Sequence, residues 1–118
     1  MGTRQSTTDY LLEQVADAGI VTSRKMFGEY AVYCDGKVVA LVVGDQVYLK
    51  ATDAGRAYLG EVEEGFPFPG AKPWFAIPGD RWDDRRWSAG LIAATAAALP
   101  EPVLRKRRKR RDADRPGR

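Results

Sequence analysis

Residues 29–49 read EYAVYCDGKVVALVVGDQVYL. Side chains alternate from Glu29 to Cys34, which places Tyr30, Val32 and Cys34 on one face. Asp35-Gly36 follows, and both residues tolerate the positive φ that a two-residue primed turn demands. Lys37 to Val43 is β-branched and apolar on both faces, the pattern of a strand inside a sheet. Gly44-Asp45 turns the chain again, after which Val47 and Leu49 face the core while Gln46, Tyr48 and Lys50 face outward. Two-residue loops cannot join parallel strands, so the segment is an antiparallel meander.

The flanks fit around this meander. Lys25-Met26-Phe27 predicts a short strand ending at Gly28. Leu11, Leu12, Val15 and Ala18 follow helical spacing and predict a helix over Thr7–Ala18. Ser6, Thr7 or Thr8 would cap it, Asp9 suits its first turn and Gly19 stops it. Downstream, Thr52 starts a second helix over about Asp53 to Leu59, and Gly60 ends it. Residues 65–73 read GFPFPGAKP, whose three prolines and two glycines make a structured loop. Trp74 to Ile77 predicts another strand, closed by Pro78-Gly79. Asp83 or Asp84 then starts a last helix with Trp87, Leu91, Ala94 and Ala98 on one face, ended by Pro100 and Pro102. The order is helix, β-meander, helix, one or two strands, helix. It predicts an α+β fold of two layers, an antiparallel β-sheet with flanking helices. The domain is expected over residues 7–100, with 101–118 as a disordered basic tail.

Composition bounds the function. A chain of 118 residues is one domain's worth. No run approaches the roughly 20 apolar residues of a membrane span. Met1 to Asp9 is polar and lacks the apolar core of a signal peptide, so a cytoplasmic location without a membrane partner is expected. Cys34 is the one cysteine, so no intramolecular disulfide can form. Histidine is absent, which removes the commonest general base, metal ligand and pH switch. Neither a metal nor another cofactor is expected, nor a hydrolytic triad. The net charge of +3 is unevenly spread: residues 105–118 hold nine Arg/Lys and two Asp, which leaves residues 1–104 at −4. Nucleic-acid binding is therefore a question about the tail first.

One set of residues carries a family resemblance: Lys25-Met26-Phe27-Gly28, Tyr33, Asp35-Gly36-Lys37, Asp45 and Tyr48-Leu49-Lys50. Phe66-Pro67-Phe68, the Trp74-Phe75 strand and an acid-capped helix containing Trp87 extend it. Over about residues 8 to 99 the sequence resembles the TfoX N-terminal domain family, related to the Sxy/TfoX regulators of bacterial competence. The resemblance implies a helix-flanked antiparallel sheet. It also implies kinship with transcriptional coactivators that work with a DNA-bound cyclic-AMP receptor protein. Full-length members carry a second, helical domain, whereas only a basic tail follows Pro102, so a stand-alone N-terminal domain is expected.

Several residues are candidates for function. Lys25-Met26-Phe27-Gly28 is either a partner-contacting surface or a strand that buries Met26 or Phe27 while Gly28 permits a bend. An alternating strand must bury something, which favours the second. Asp35-Gly36-Lys37 is a contact loop or, on turn chemistry, a hairpin that holds register. Cys34 reads as a small strand hydrophobe, because no histidine can activate it. Of the acid pairs Glu63-Glu64 and Asp83-Asp84, the second reads as a helix cap. Tyr33, Tyr48, Trp74, Phe66 and Phe68, with Lys25, Lys50 and Lys72, form a set that can stack bases but more often packs. Arg105, Lys106, Arg107, Arg108, Lys109, Arg110 and Arg111 form an unbroken cationic run suited to non-specific nucleic-acid binding. The expectation is a non-enzymatic regulatory or binding module, a transcription-related adaptor with a protein partner and a nucleic-acid-binding tail. A small-ligand binder or enzyme using a pocket near the Phe66–Trp74 loop is the first alternative. A homodimerisation domain is the second.

Overall fold

The computed structural model describes residues 3–100. Helix α1 (Gln5–Gln14) and a 3-10 turn (Ala16–Ala18) lead into strands β1 (Val21–Met26), β2 (Glu29–Cys34), β3 (Lys37–Val43) and β4 (Gln46–Leu49). Helix α2 (Asp53–Leu59), strands β5 (Glu63–Gly65) and β6 (Trp74–Ile77), a 3-10 turn (Gly79–Asp83) and helix α3 (Arg85–Ala98) complete it. The strands form one sheet in the order β1-β2-β3-β4-β6-β5, every neighbouring pair antiparallel. This is the expected α+β arrangement, with the meander intact.

Register assigns the faces, because residues directly opposite one another share a side of the sheet. One row crosses the sheet as Ser23, Val32, Ala40, Leu49, Phe75 and Glu64. Its four apolar members are buried and pack in one core with Leu11, Val15, Trp82, Leu91 and Ile92 from the helical layer. The next row on the opposite face runs Arg24, Ala31, Leu41, Tyr48, Ala76 and Glu63. A bulge between Val32 and Tyr33 shifts the register of β2 against β3. The extra residue lets consecutive Val39 and Ala40 both pack into the core on the helical side.

Local chemistry explains the element ends. Thr52 caps α2 by accepting the Gly55 N–H at 2.9 Å, and Asp84 caps α3 by accepting the Trp87 N–H at 3.0 Å. Three two-residue turns, Phe27-Gly28, Asp35-Gly36 and Gly44-Asp45, hold both residues at positive φ. Two expectations are corrected. Helix α1 spans Gln5–Gln14 rather than Thr7–Ala18, and no side chain caps it. Its first turn is anchored by tertiary contacts instead: the Arg4 N–H and the Thr7 hydroxyl both donate to Asp45. Helix α3 buries Ser88, Leu91, Ile92, Thr95 and Ala96 rather than the Trp87–Ala94–Ala98 stripe. The two polar residues bury at little cost because Ser88 Oγ donates to the Trp82 carbonyl and Thr95 Oγ1 to the Leu91 carbonyl.

Candidate functional site

The helices occupy one side of the sheet, and no helix among the described residues covers the other. That open side carries a groove of ≈540 Å³. Its floor is Val38, Leu41 and Val43 of β3, its lip is Met26 and Phe27, and Pro67, Phe68, Pro69 and Trp74 form its wall. Glu29, Tyr30 and Lys50 complete the lining. The volume lies within the range of ordinary ligand sites, about 300–1,000 Å³.

Phe27 defines the lip. It is the first central residue of the β1–β2 turn, at φ 50°, and is 103% exposed. A bulky side chain in the left-handed region is a steric outlier. An aromatic ring wholly in water also forgoes its hydrophobic stabilisation. The expectation that Met26 or Phe27 packs in the core is thereby corrected: β1 ends at Met26, Phe27-Gly28 is the turn, and Met26 is exposed too. Phe27 is not a turn-forming residue type, so its composition points away from a turn, whereas its place before a glycine between two strand-like runs is the signal that marks one.

A polar network holds this end of the sheet in place. The Thr3 N–H donates to the Gly28 carbonyl at 2.9 Å. Thr3 Oγ1 lies within hydrogen-bond distance of both the Glu29 carboxylate and the Val42 carbonyl, which share its one proton, and the Gly44 N–H donates to the same Glu29 oxygen at 3.1 Å. Asp45 receives the Arg4 N–H at 3.0 Å and the Thr7 hydroxyl at 2.8 Å, and pairs with the Arg4 guanidinium at 3.3 Å. The β1–β2 and β3–β4 turns are thus tied through one short N-terminal segment. The Thr3 hydroxyl and the Gly44 N–H hold the Glu29 carboxyl below its ordinary value. The Arg4 N–H and Thr7 hydroxyl do the same for Asp45, with the Arg4 charge adding to them.

The groove lining carries one cation, Lys50, and one acid, Glu29. Lys50 Nζ lies 4.9 Å from the Trp74 ring centroid. Arg24 stands on the same face, opposite Ala31. No carboxylate among the described residues lies within ion-pair reach of either cation. Glu29, the one acid in the lining, is already engaged by Thr3 and Gly44.

The remaining candidates fall elsewhere. Asp35-Gly36 is the β2–β3 turn, at the end of the sheet opposite Phe27, and the Asp35 carboxylate accepts the Ile20 N–H at 2.9 Å. Lys37 turns to the helical side, where its Nζ donates to the Ala96 and Leu99 carbonyls at 2.9 and 3.1 Å. Cys34 is fully buried, and burial, then the nearby Asp35 charge, pushes its thiol pKa up, opposite to the shift a nucleophile needs. Asp84 caps α3 as expected, Asp83 accepts the Tyr10 hydroxyl, and Glu64 pairs with Arg56 at 2.7 Å. Of the aromatic set, Trp74 is buried, Tyr33 and Tyr48 are half-buried, and Phe66 and Phe68 are exposed. Lys25, Lys72 and Asp45 do not line the groove. The Phe66–Trp74 loop and the Met26-Phe27 pair, read separately in the sequence, are brought together as its two walls. The cationic run Arg105–Arg111 lies outside the described residues. Among the described residues no group of three or more His, Cys, Asp or Glu is placed to hold a metal ion, and no helix is long and apolar enough to cross a membrane.

The architecture is therefore a two-layer α+β domain with one sheet face covered by helices and the other open. The chain belongs to the TfoX N-terminal domain family, which residues 13–99 match. It is also 39% identical over 106 residues to an uncharacterised 12.7 kDa protein in the trpE 5′ region of Spirochaeta aurantia, covering 90% of this chain and 91% of that protein.

Proposed function

We propose that this domain is a non-catalytic docking module of a regulatory assembly, which takes a protein partner on the open face of its sheet. Phe27 carries the proposal. The left-handed backbone at Phe27 costs folding free energy and its exposed ring returns no burial to offset it, and such residues persist where they serve contact. The polar network through Thr3, Glu29 and Asp45 supports the same reading, since it holds the turn that presents the ring. Rigid presentation lowers the ordering cost of binding. The basic run Arg105–Arg111 adds sequence-independent attachment to nucleic acid, in line with a role near a transcription complex.

Site-specific photo-crosslinking in cells tests the docking face. A crosslinking amino acid replaces Phe27 in one chain and Ala57, exposed on α2, in another. Protein adducts are expected from position 27 and not from position 57. Equal adducts from both positions, or none from position 27, would overturn the docking face.

A further inference from the structure

The groove selects the shape and charge of what it binds; this inference rests on the docking face proposed above. Its floor is made of the Val38, Leu41 and Val43 side chains, in a strand whose backbone groups are paired with β2 and β4. An extended peptide laid there would press its own N–H and C=O groups against an apolar surface that cannot satisfy them. An α-helix satisfies those groups internally and offers a stripe of side chains instead. The floor from Val38 to Val43 is roughly 17 Å long at strand rise. Three helical turns, about 11 residues, span that length. Lys50 is the cation of the lining and Arg24 lies on the same face beside the groove, and neither has an acidic partner among the described residues.

We propose that the groove takes an amphipathic α-helix of a partner protein, with apolar side chains at i, i+4 and i+7 and acidic side chains flanking that stripe. The apolar stripe fills the space between Phe27 and the Phe68-Pro69 wall, and the acids meet Lys50 and Arg24. A second copy of this chain fits less well. Stacking two open faces would bury Lys50 of both copies, with the lining's one acid, Glu29, already committed to Thr3 and Gly44. A nucleic-acid strand fits less well too. A single strand needs a groove lined with cations along its backbone, and Lys50 is the one cation in this lining, beside Glu29.

Two phage-displayed libraries test this, one of 14-residue helices and one of unstructured linear 12-mers, each randomised in apolar and charged positions. Both are selected against the full chain and counter-selected against the Phe27→Ala chain, which keeps the basic run and so removes peptides held by that run alone. Phe27 is exposed in a turn, so this variant keeps the fold. The expected winners come from the helical library and carry the i, i+4, i+7 stripe with an excess of Asp and Glu. Synthetic versions should lose affinity by about tenfold or more against Phe27→Ala and against Lys50→Glu. Their amide shifts on the labelled full chain should map to Met26, Leu41, Val43 and Lys50. Linear or basic winners overturn the helical, acidic ligand while leaving the docking face standing. Failure of the helical library to yield Phe27-dependent binders overturns the inference, and crosslinking from position 27 then separates a wrong ligand from a wrong face. Concentration-dependent dimerisation abolished by Phe27→Ala, or a single-stranded oligonucleotide shifting the same amides, overturns it in favour of that occupant.

Discussion

Phe27 sits where asparagine or glycine would be cheaper. A left-handed backbone at a non-glycine residue costs about 1–2 kcal/mol, less for asparagine, whose short polar side chain tolerates it. Phe27→Asn is therefore expected to stabilise the chain by about 1 kcal/mol. The check is the urea midpoint at unchanged m-value. The same substitution should abolish crosslinking to the partner through the neighbouring position 26, separating stability from function. Glu29 and Asp45 carry a second consequence. Both folded-state pKa values are depressed, so their bonds stabilise the fold fully above the ordinary values of 4.5 and 3.8 and are lost as pH falls through the lower folded-state values. Asp45→Asn keeps a residue tolerant of positive φ and removes the charge. The expected outcome is a shallower loss of stability between about pH 5 and pH 3 than in the parent chain, measured by thermal melts across that range.

At the level of elements, the C-terminus of α3 depends on a lysine from another layer. Lys37 places a positive charge on the last carbonyls of the helix, where the helix dipole is negative. Lys37→Met keeps the aliphatic stem and deletes both bonds. A destabilisation of about 1–2 kcal/mol is expected. Hydrogen exchange should speed up mainly over Thr95–Leu99, with the β2–β3 turn little changed. An equal loss of protection across the whole sheet would show that Lys37 instead sets the hairpin. The three positive-φ turns make the same point about elements. Asp35-Gly36 and Gly44-Asp45 announce themselves by residue type, whereas Phe27-Gly28 forms because β1 and β2 pair in full register from Val21–Cys34 to Met26–Glu29. Pairing, rather than turn propensity, brings Phe27 to the tip.

For the molecule as a whole, charge and surface are divided. The open sheet face offers few cations, while the cationic run begins at Arg105. If nucleic-acid attachment resides in that run, the full chain binds a random DNA duplex with log affinity falling against log salt at a slope of up to about −6. A 1–104 chain should lose that binding and keep crosslinking from position 27. Fluorescence anisotropy over a salt series checks the first, and equal binding by the shortened chain would assign the attachment to the folded domain.

What the sequence settled is what short-range chemistry governs. Asp35-Gly36 and Gly44-Asp45 specify their turns, Thr52 and Asp84 cap the helices that follow them, and period-two alternation places Val47 and Leu49 inward. Each depends on contacts within a few residues, so each is legible in one dimension. The groove is not of that kind. Met26 and Phe27 meet Phe68, Pro69 and Trp74 across some forty residues of chain, because the sheet order places β6 beside β4 and folds the proline loop back over the open face. Arg4 and Thr7 anchor α1 on Asp45, about forty residues away, so the expected local cap was unnecessary. Lys37 finds its partners nearly sixty residues on. Such pairings depend on which distant surfaces the packed layers bring together, and no local preference encodes them. Only the folded chain shows Met26 and Phe27 of the Lys-Met-Phe-Gly motif at the lip of a groove rather than in the core.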